Sequence, residues 1–164
     1  METKKVLNRY NEPSEELHEF VYKTHKGLRL QYDEAYYLDF DVDESTGMID
    51  ENKMVKQYTK NQIERNLKAL KNAYFIAKGA AAPKEIIDFR NRYDIPASTF
   101  SIVLGFSKNT ISNIENDGIT SLPTGRLIKM CLDNKGIVLD YLRMCDEIDN
   151  VKKTEISQRL ENCY

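Results

Sequence analysis

Lys108, Asn109, Ser112, Asn113 and Asn116 lie on the side of one short segment that Ile111 and Ile114 leave free. An Asn amide can bond N6 and N7 of adenine together, and a Lys can reach a guanine edge or a phosphate. Asn109 and Asn113 are therefore the expected base readers. Thr110, Ser112 and Asn116 suit the sugar-phosphate backbone, where such contacts fix register rather than sequence. With Ser107 opening it, the segment Lys108 to Asn116 offers the chemistry of major-groove recognition of double-stranded DNA. Other chemistry is poorly supplied. Asp and Glu are plentiful, but none falls into a nucleophile–base pattern, a phosphate loop or a metal-ligand spacing. No catalytic residue, cofactor or metal is expected, and an enzyme is the least favoured class.

Such side chains read a groove only if a helix carries them and a second helix braces it. Phe100 to Glu115 has the pattern for this. Phe100, Val103 and Leu104 line a first helix, and Ile111 and Ile114 fall three apart on a second. Gly105 stands where the first helix must stop, and a left-handed conformation there costs glycine little. Ser107 is expected as the N-cap of the second helix, accepting from the amides of Asn109 or Thr110.

These residues resemble the Xre/Cro helix-turn-helix family of phage-type repressors. The likeness is carried by Phe100, Leu104, Gly105, Ser107 to Ile111, and Ile114-Glu115. It implies a lambda-repressor-like domain of five short helices that binds DNA as a dimer. Two positions depart from the family pattern. Ala97 stands where the family often has Gln, and Asp117 takes the place of the Gly that usually closes the recognition helix. Asp tolerates the left-handed region better than most residues, so Asp117 is expected to make that turn.

The five helices can be placed from local signals. Pro83 opens one running to about Arg92, the motif supplies two, Pro123 starts a fourth through Leu127, Ile128, Cys131 and Leu132, and Leu139, Leu142, Cys145 and Ile148 mark a fifth. The tail from Val151 is expected to add a last turn or to fray. Cys131 and Cys145 sit among apolar residues as core fillers. With Cys163 they make an odd number without close pairing, which suits reduced thiols.

The front half reads as β-rich. Phe20 to Tyr22, Leu28 to Tyr32 and Tyr36 to Asp43 are strand-like runs, with a turn at Thr24 to Gly27. In the third run Leu38, Phe40 and Val42 alternate with Asp39, Asp41 and Asp43. Asp39-x-Asp41-x-Asp43 opens like a calcium loop, but Glu44 and Asp50 occupy its Gly and Glu positions, so a solvated strand face is expected. From Met48 the pattern turns helical. Thr59 can cap a connecting helix with the stripe Ile63, Leu67, Leu70, Tyr74 and Ala77. The expected fold class is thus α+β: a β-rich domain over residues 1–56, a connecting helix over 57–82, the helix-turn-helix domain over 83–150 and a tail over 151–164.

Charge follows the same division. The net charge of −2 conceals −5 over residues 1–56, +4 over 57–82, +1 over 83–145 and −2 over 146–164. A DNA-binding face needs local rather than global positive charge, so the total excludes nothing. No apolar run is long enough to span a bilayer and the N-terminus lacks a signal-peptide core, which predicts a cytoplasmic protein.

The order of β-rich front, connecting helix and C-terminal motif also resembles the antitoxins related to the MqsA group. Lys26 to Tyr32, Asn66 to Tyr74 and Pro83 to Ile86 carry that likeness. Members hold the front domain together with zinc on paired cysteines. This chain has no cysteine before Cys131, so its front domain is expected to fold without metal. The leading expectation is a dimeric, sequence-specific transcriptional regulator. The alternative is an antitoxin or adaptor that grips a protein partner, such as a toxin, through its N-terminal domain and autoregulates through DNA.

Overall fold

The computed structural model describes residues 3–162; Cys163 lies outside them. The fold is mixed α+β, an antiparallel sheet region followed by helices. Two compact units divide it, residues 1–73 and 74–164, with the division inside the first helix.

In the first unit, β1 (Lys5–Leu7) and β2 (Pro13–Glu15) form an antiparallel ribbon. β3 (Leu17–His25), β4 (Leu28–Val42) and β5 (Ile49–Gln57) form an antiparallel sheet in that order. Lys26 and Gly27, at φ 48° and 80°, make the two-residue turn between β3 and β4. Positive φ at both positions is what gives a tight hairpin the twist of its strands. The two runs read separately as Leu28 to Tyr32 and Tyr36 to Asp43 are one strand. Asp33, Glu34 and Ala35 between them supply no Gly or Pro to break it.

The helical reading from Met48 is overturned: Ile49–Gln57 is β5. Asp43 accepts from the Ser45 amide at 2.8 Å, and Gly47 at φ 72° turns the chain back along β4. Pairing with β4, shifted in register between Phe40 and Asp41, overrides the weak local preference of this polar segment. The expected separation of an apolar and an acidic face on β4 is also blurred. Leu38 and Phe40 are exposed, whereas Asp39 and Asp41 are half-buried and pair with Arg9 at 3.1 Å and Lys53 at 2.8 Å.

The first helix, α1 (Lys60–Ala77), starts as Thr59 promised. Thr59 Oγ1 accepts from the Gln62 amide at 3.1 Å, and Gln62 Oε1 accepts from the Thr59 amide at 3.0 Å. This reciprocal pair satisfies two of the free amides at the helix start. The apolar stripe is corrected. Of Ile63, Leu67, Leu70, Tyr74 and Ala77 only Leu70 is buried, while Ile63 and Leu67 remain 56% and 48% exposed. The buried side instead carries Gln62 and Leu70, with Asn66 half-buried. Asn66 takes the place of a missing strand: its Oδ1 accepts from the Ala35 amide at 2.8 Å and its Nδ2 donates to the Ala35 carbonyl at 2.9 Å.

A charged network also holds the first unit. The Glu16 side chain is only 1% exposed. Arg65 grips both its oxygens, the bond to Oε1 measuring 3.1 Å, and Gln62 Nε2 donates to Oε2 at 3.1 Å. His18 lies 3.0 Å from Glu16 and 3.0 Å from Asp33. Arg65 in the lead, then Gln62 and His18, outweigh burial and hold the Glu16 carboxyl down at about 2.

The second unit contains α2 (Pro83–Tyr93), α3 (Ala97–Val103), α4 (Thr110–Asp117), α5 (Leu122–Asp133), α6 (Lys135–Met144) and α7 (Asn150–Asn162). Their apolar stripes meet in one core that includes Ile86, Phe100, Ile111, Ile114, Ile128 and Leu142. Each such side chain contributes about 1.5–3 kcal/mol on burial. Burial pushes the Cys131 thiol up to about 11, as fits an inert core filler. Gly125 permits the closest approach, since a Cβ there would lie 2.4 Å from that of Ala80. The tail is not frayed. α7 buries Ile156 and Leu160 in the core, and Arg159 donates to the Asp94 carbonyl at 2.9 Å. Two apolar residues four apart were too sparse a signal for a helix that this docking stabilises.

Candidate nucleic-acid interface

α3, a six-residue connection and α4 form a helix-turn-helix within the second unit. Phe100, Val103, Leu104, Ile111 and Ile114 are all buried, as their spacing required. Gly105 adopts φ 82°, and its amide donates to the Ile102 carbonyl at 3.0 Å. A Cβ on Gly105 would meet nothing within 4 Å. Backbone conformation alone, not crowding, therefore reserves the position for glycine.

The start of α4 differs from expectation. The helix begins at Thr110, not Lys108, and Ser107 is not its cap. The Ser107 hydroxyl lies 2.8 Å from the Thr110 hydroxyl instead, and the Thr110 amide donates to the Ser107 carbonyl at 3.1 Å. Asn109 occupies the cap position without a side-chain capping bond. The cap comes from the preceding helix. Fully buried Ser101 accepts from the Ile111 amide at 2.9 Å, while its own hydroxyl donates to the Ala97 carbonyl at 3.0 Å. One hydroxyl thus satisfies a free amide at the start of α4 and ties α3 to it.

A second tie comes from α2. Arg90 forks onto Glu115, Nε to Oε1 at 2.5 Å and a terminal nitrogen to Oε2 at 2.8 Å, and also donates to the Ile95 carbonyl at 3.1 Å. This bidentate, half-buried pair fixes the rotation of α4 about its axis. The far end closes differently from expectation as well. Asp117 stays helical, and Gly118 makes the turn at φ 92°. A left-handed Asp is unnecessary because a glycine follows.

The expected reading residues divide accordingly. Ser107, Lys108 and Asn109 are exposed in the connection, and Asn113 and Asn116 are exposed on α4. Thr110 and Ser112 are half-buried, and the Ser112 hydroxyl donates to the Asn109 carbonyl at 3.0 Å. Sequence reasoning placed the outward side chains but missed Ser101 and Arg90, the two groups that aim them. The available signal for Ser101 was a small polar residue inside an apolar helical register, between Phe100 and Val103.

No known protein family, curated protein or solved structure matches the chain. Among the described residues no His, Cys, Asp and Glu side chains cluster as a metal site would require. No described helix is long and apolar enough to cross a membrane.

Proposed function

We propose that this chain is a sequence-specific DNA-binding transcriptional regulator that reads the major groove with α4 and the connection before it. One observation carries the reading. α4 is anchored on one side by Ile111, Ile114, the Ser101 cap and the Arg90 fork; it presents Asn113 and Asn116 to solvent, and the connection before it presents Lys108 and Asn109. A helix held this firmly, with amides outward and only Glu115 and Asp117 acidic, suits recognition of base edges. Glu115 is already engaged by Arg90, so it does not repel phosphate as a free carboxylate would.

Residues 74–164 carry twelve Lys and Arg against twelve Asp and Glu. Among the residues proposed to read DNA only Lys108 is cationic, so few phosphate charges are neutralised there and the dependence of affinity on salt is shallow. The test is to select the bound sequence from a random pool and measure affinity at stated salt. Asn109→Ala and Asn113→Ala should each weaken binding to the selected site by about 1–3 kcal/mol. Failure to enrich any sequence, or equal affinity of both variants and the wild type, would overturn the reading.

A further inference from the structure

We propose that the free edge of β3 pairs with the β3 edge of a second copy of this chain, joining two sheets across a two-fold axis through Val21. β3 lies at the end of the sheet order, and among the described residues no backbone–backbone hydrogen bond reaches His18, Phe20, Tyr22 or Thr24 from its outer side. Phe20 and Tyr22 are 70% and 60% exposed on it, and the Arg29 guanidinium stacks 4.4 Å from the Tyr22 ring. A nine-residue edge that carries Leu17, Phe20, Val21 and Tyr22 and has no Pro or bulge is a template for another strand.

Hydrogen-bond parity selects the register. Asn66 occupies the amide and carbonyl of Ala35, so these do not face His18, the partner of Ala35 in β3. Backbone groups alternate sides along an antiparallel strand. His18, Phe20, Tyr22 and Thr24 therefore turn their amides and carbonyls outward, and Glu19, Val21 and Lys23 turn theirs toward β4. An added antiparallel strand must place outward residues opposite outward residues. Centring on Val21 does this with all nine residues overlapped. Phe20 then meets the partner's Tyr22, and His18 meets the partner's Thr24.

The same register matches charge. Glu19 falls opposite the partner's Lys23, and symmetry repeats the pair on the other side of the axis. Lys23 makes no ion pair among the described residues, and Glu19, bonded to Lys56 at 2.5 Å, is still 53% exposed. A shift of two residues either way keeps the backbone parity but separates Glu19 from the partner's Lys23 and shortens the overlap. The strand is thus complementary to itself in hydrogen bonding, aromatic packing and charge, as an isologous interface requires.

The experiment uses the full chain. Sedimentation equilibrium at about 100 μM should give the dimer mass, a concentration well above the dissociation constants of specific homodimers. Val21→Cys should form an interchain disulfide on mild oxidation. Val21 faces itself in a non-hydrogen-bonded pair with Cα atoms about 4.5 Å apart, within disulfide reach. Thr24→Cys, facing the partner's His18, should not crosslink, and the wild type controls for native cysteines. Tyr22→Lys, exposed and so tolerated by the fold, should raise the dimer dissociation constant about tenfold or more. A monomer at that concentration would overturn the proposal, leaving the edge to a different chain. So would a dimer that neither crosslinks through Val21→Cys nor responds to Tyr22→Lys, because the copies would then meet elsewhere. None of these readouts involves DNA, so their failure leaves the DNA-binding reading intact.

Discussion

The two compact units are stabilised by different physics. Residues 74–164 close around one apolar core contributed by all six helices α2–α7 and by the segments between them. In the first unit the buried apolar residues are Leu30, Tyr32, Ala35, Tyr37 and Leu70, and a buried carboxylate with its donors completes the interior. Apolar packing tolerates changes of pH because it involves no proton. A buried Glu16 is stabilising only while Arg65, Gln62 and His18 surround its ionised form. Every buried side-chain nitrogen and oxygen among the described residues has a hydrogen-bond partner, so the polar interior is complete but depends on each member.

The largest effect should come from removing the centre of that network. Glu16→Ala is expected to destabilise the first unit by about 3 kcal/mol, since it leaves Gln62 Nε2 and the two terminal nitrogens of Arg65 without their acceptor. Native-state hydrogen exchange should show faster opening at Tyr37 and unchanged protection at Ile128. Equal loss in both places would mean that the units do not unfold separately. Acid should produce the same asymmetry. The Glu16 carboxyl lies at about 2 when folded, below its ordinary 4.5. Its contribution is therefore complete above about pH 4.5 and is lost as the pH falls toward 2. Protection in the sheet should decline before protection at Ile128. A helical unit that opens first would contradict the contrast.

Within the helical unit the expected effects are smaller. Gly105→Val should cost about 2 kcal/mol through positive φ alone, together with loss of the proposed DNA binding as α3 and α4 move apart. Thermal unfolding and affinity measured side by side would reveal it, and wild-type behaviour in both would break the assigned turn. Ser101→Ala should cost about 1 kcal/mol, the value of a helix cap, and should raise amide exchange at Ile111 more than at Ile128. Asn113→Ala should change stability by less than about 0.5 kcal/mol while still weakening binding. It thereby separates reading from folding.

Legibility followed the same division. The helical unit could be read because its signals are local and apolar: Pro83, Gly105 and Pro123 punctuate it, and Ile111 and Ile114 fix the inner face of α4. Where side chains act across elements, local reading failed. Ser101 caps a helix ten residues ahead, which left Ser107 as the apparent cap. In the first unit, β5 is a strand because of its partner, and α1 turns Gln62 inward because Glu16 awaits it. A stripe of Ile63 and Leu67 therefore pointed to the wrong face. α7 was missed for a related reason, as its two buried residues gain their meaning only from the core that receives them.

The Ser101 hydroxyl also has a thermodynamic consequence. Because it bonds both the Ala97 carbonyl and the Ile111 amide, the backbone at the start of α4 is held by the fold itself. If α4 docks on DNA as proposed, little backbone entropy remains to be lost. Calorimetry of complex formation should accordingly give a heat-capacity change that matches the surface covered, without the larger negative value that accompanies folding on contact.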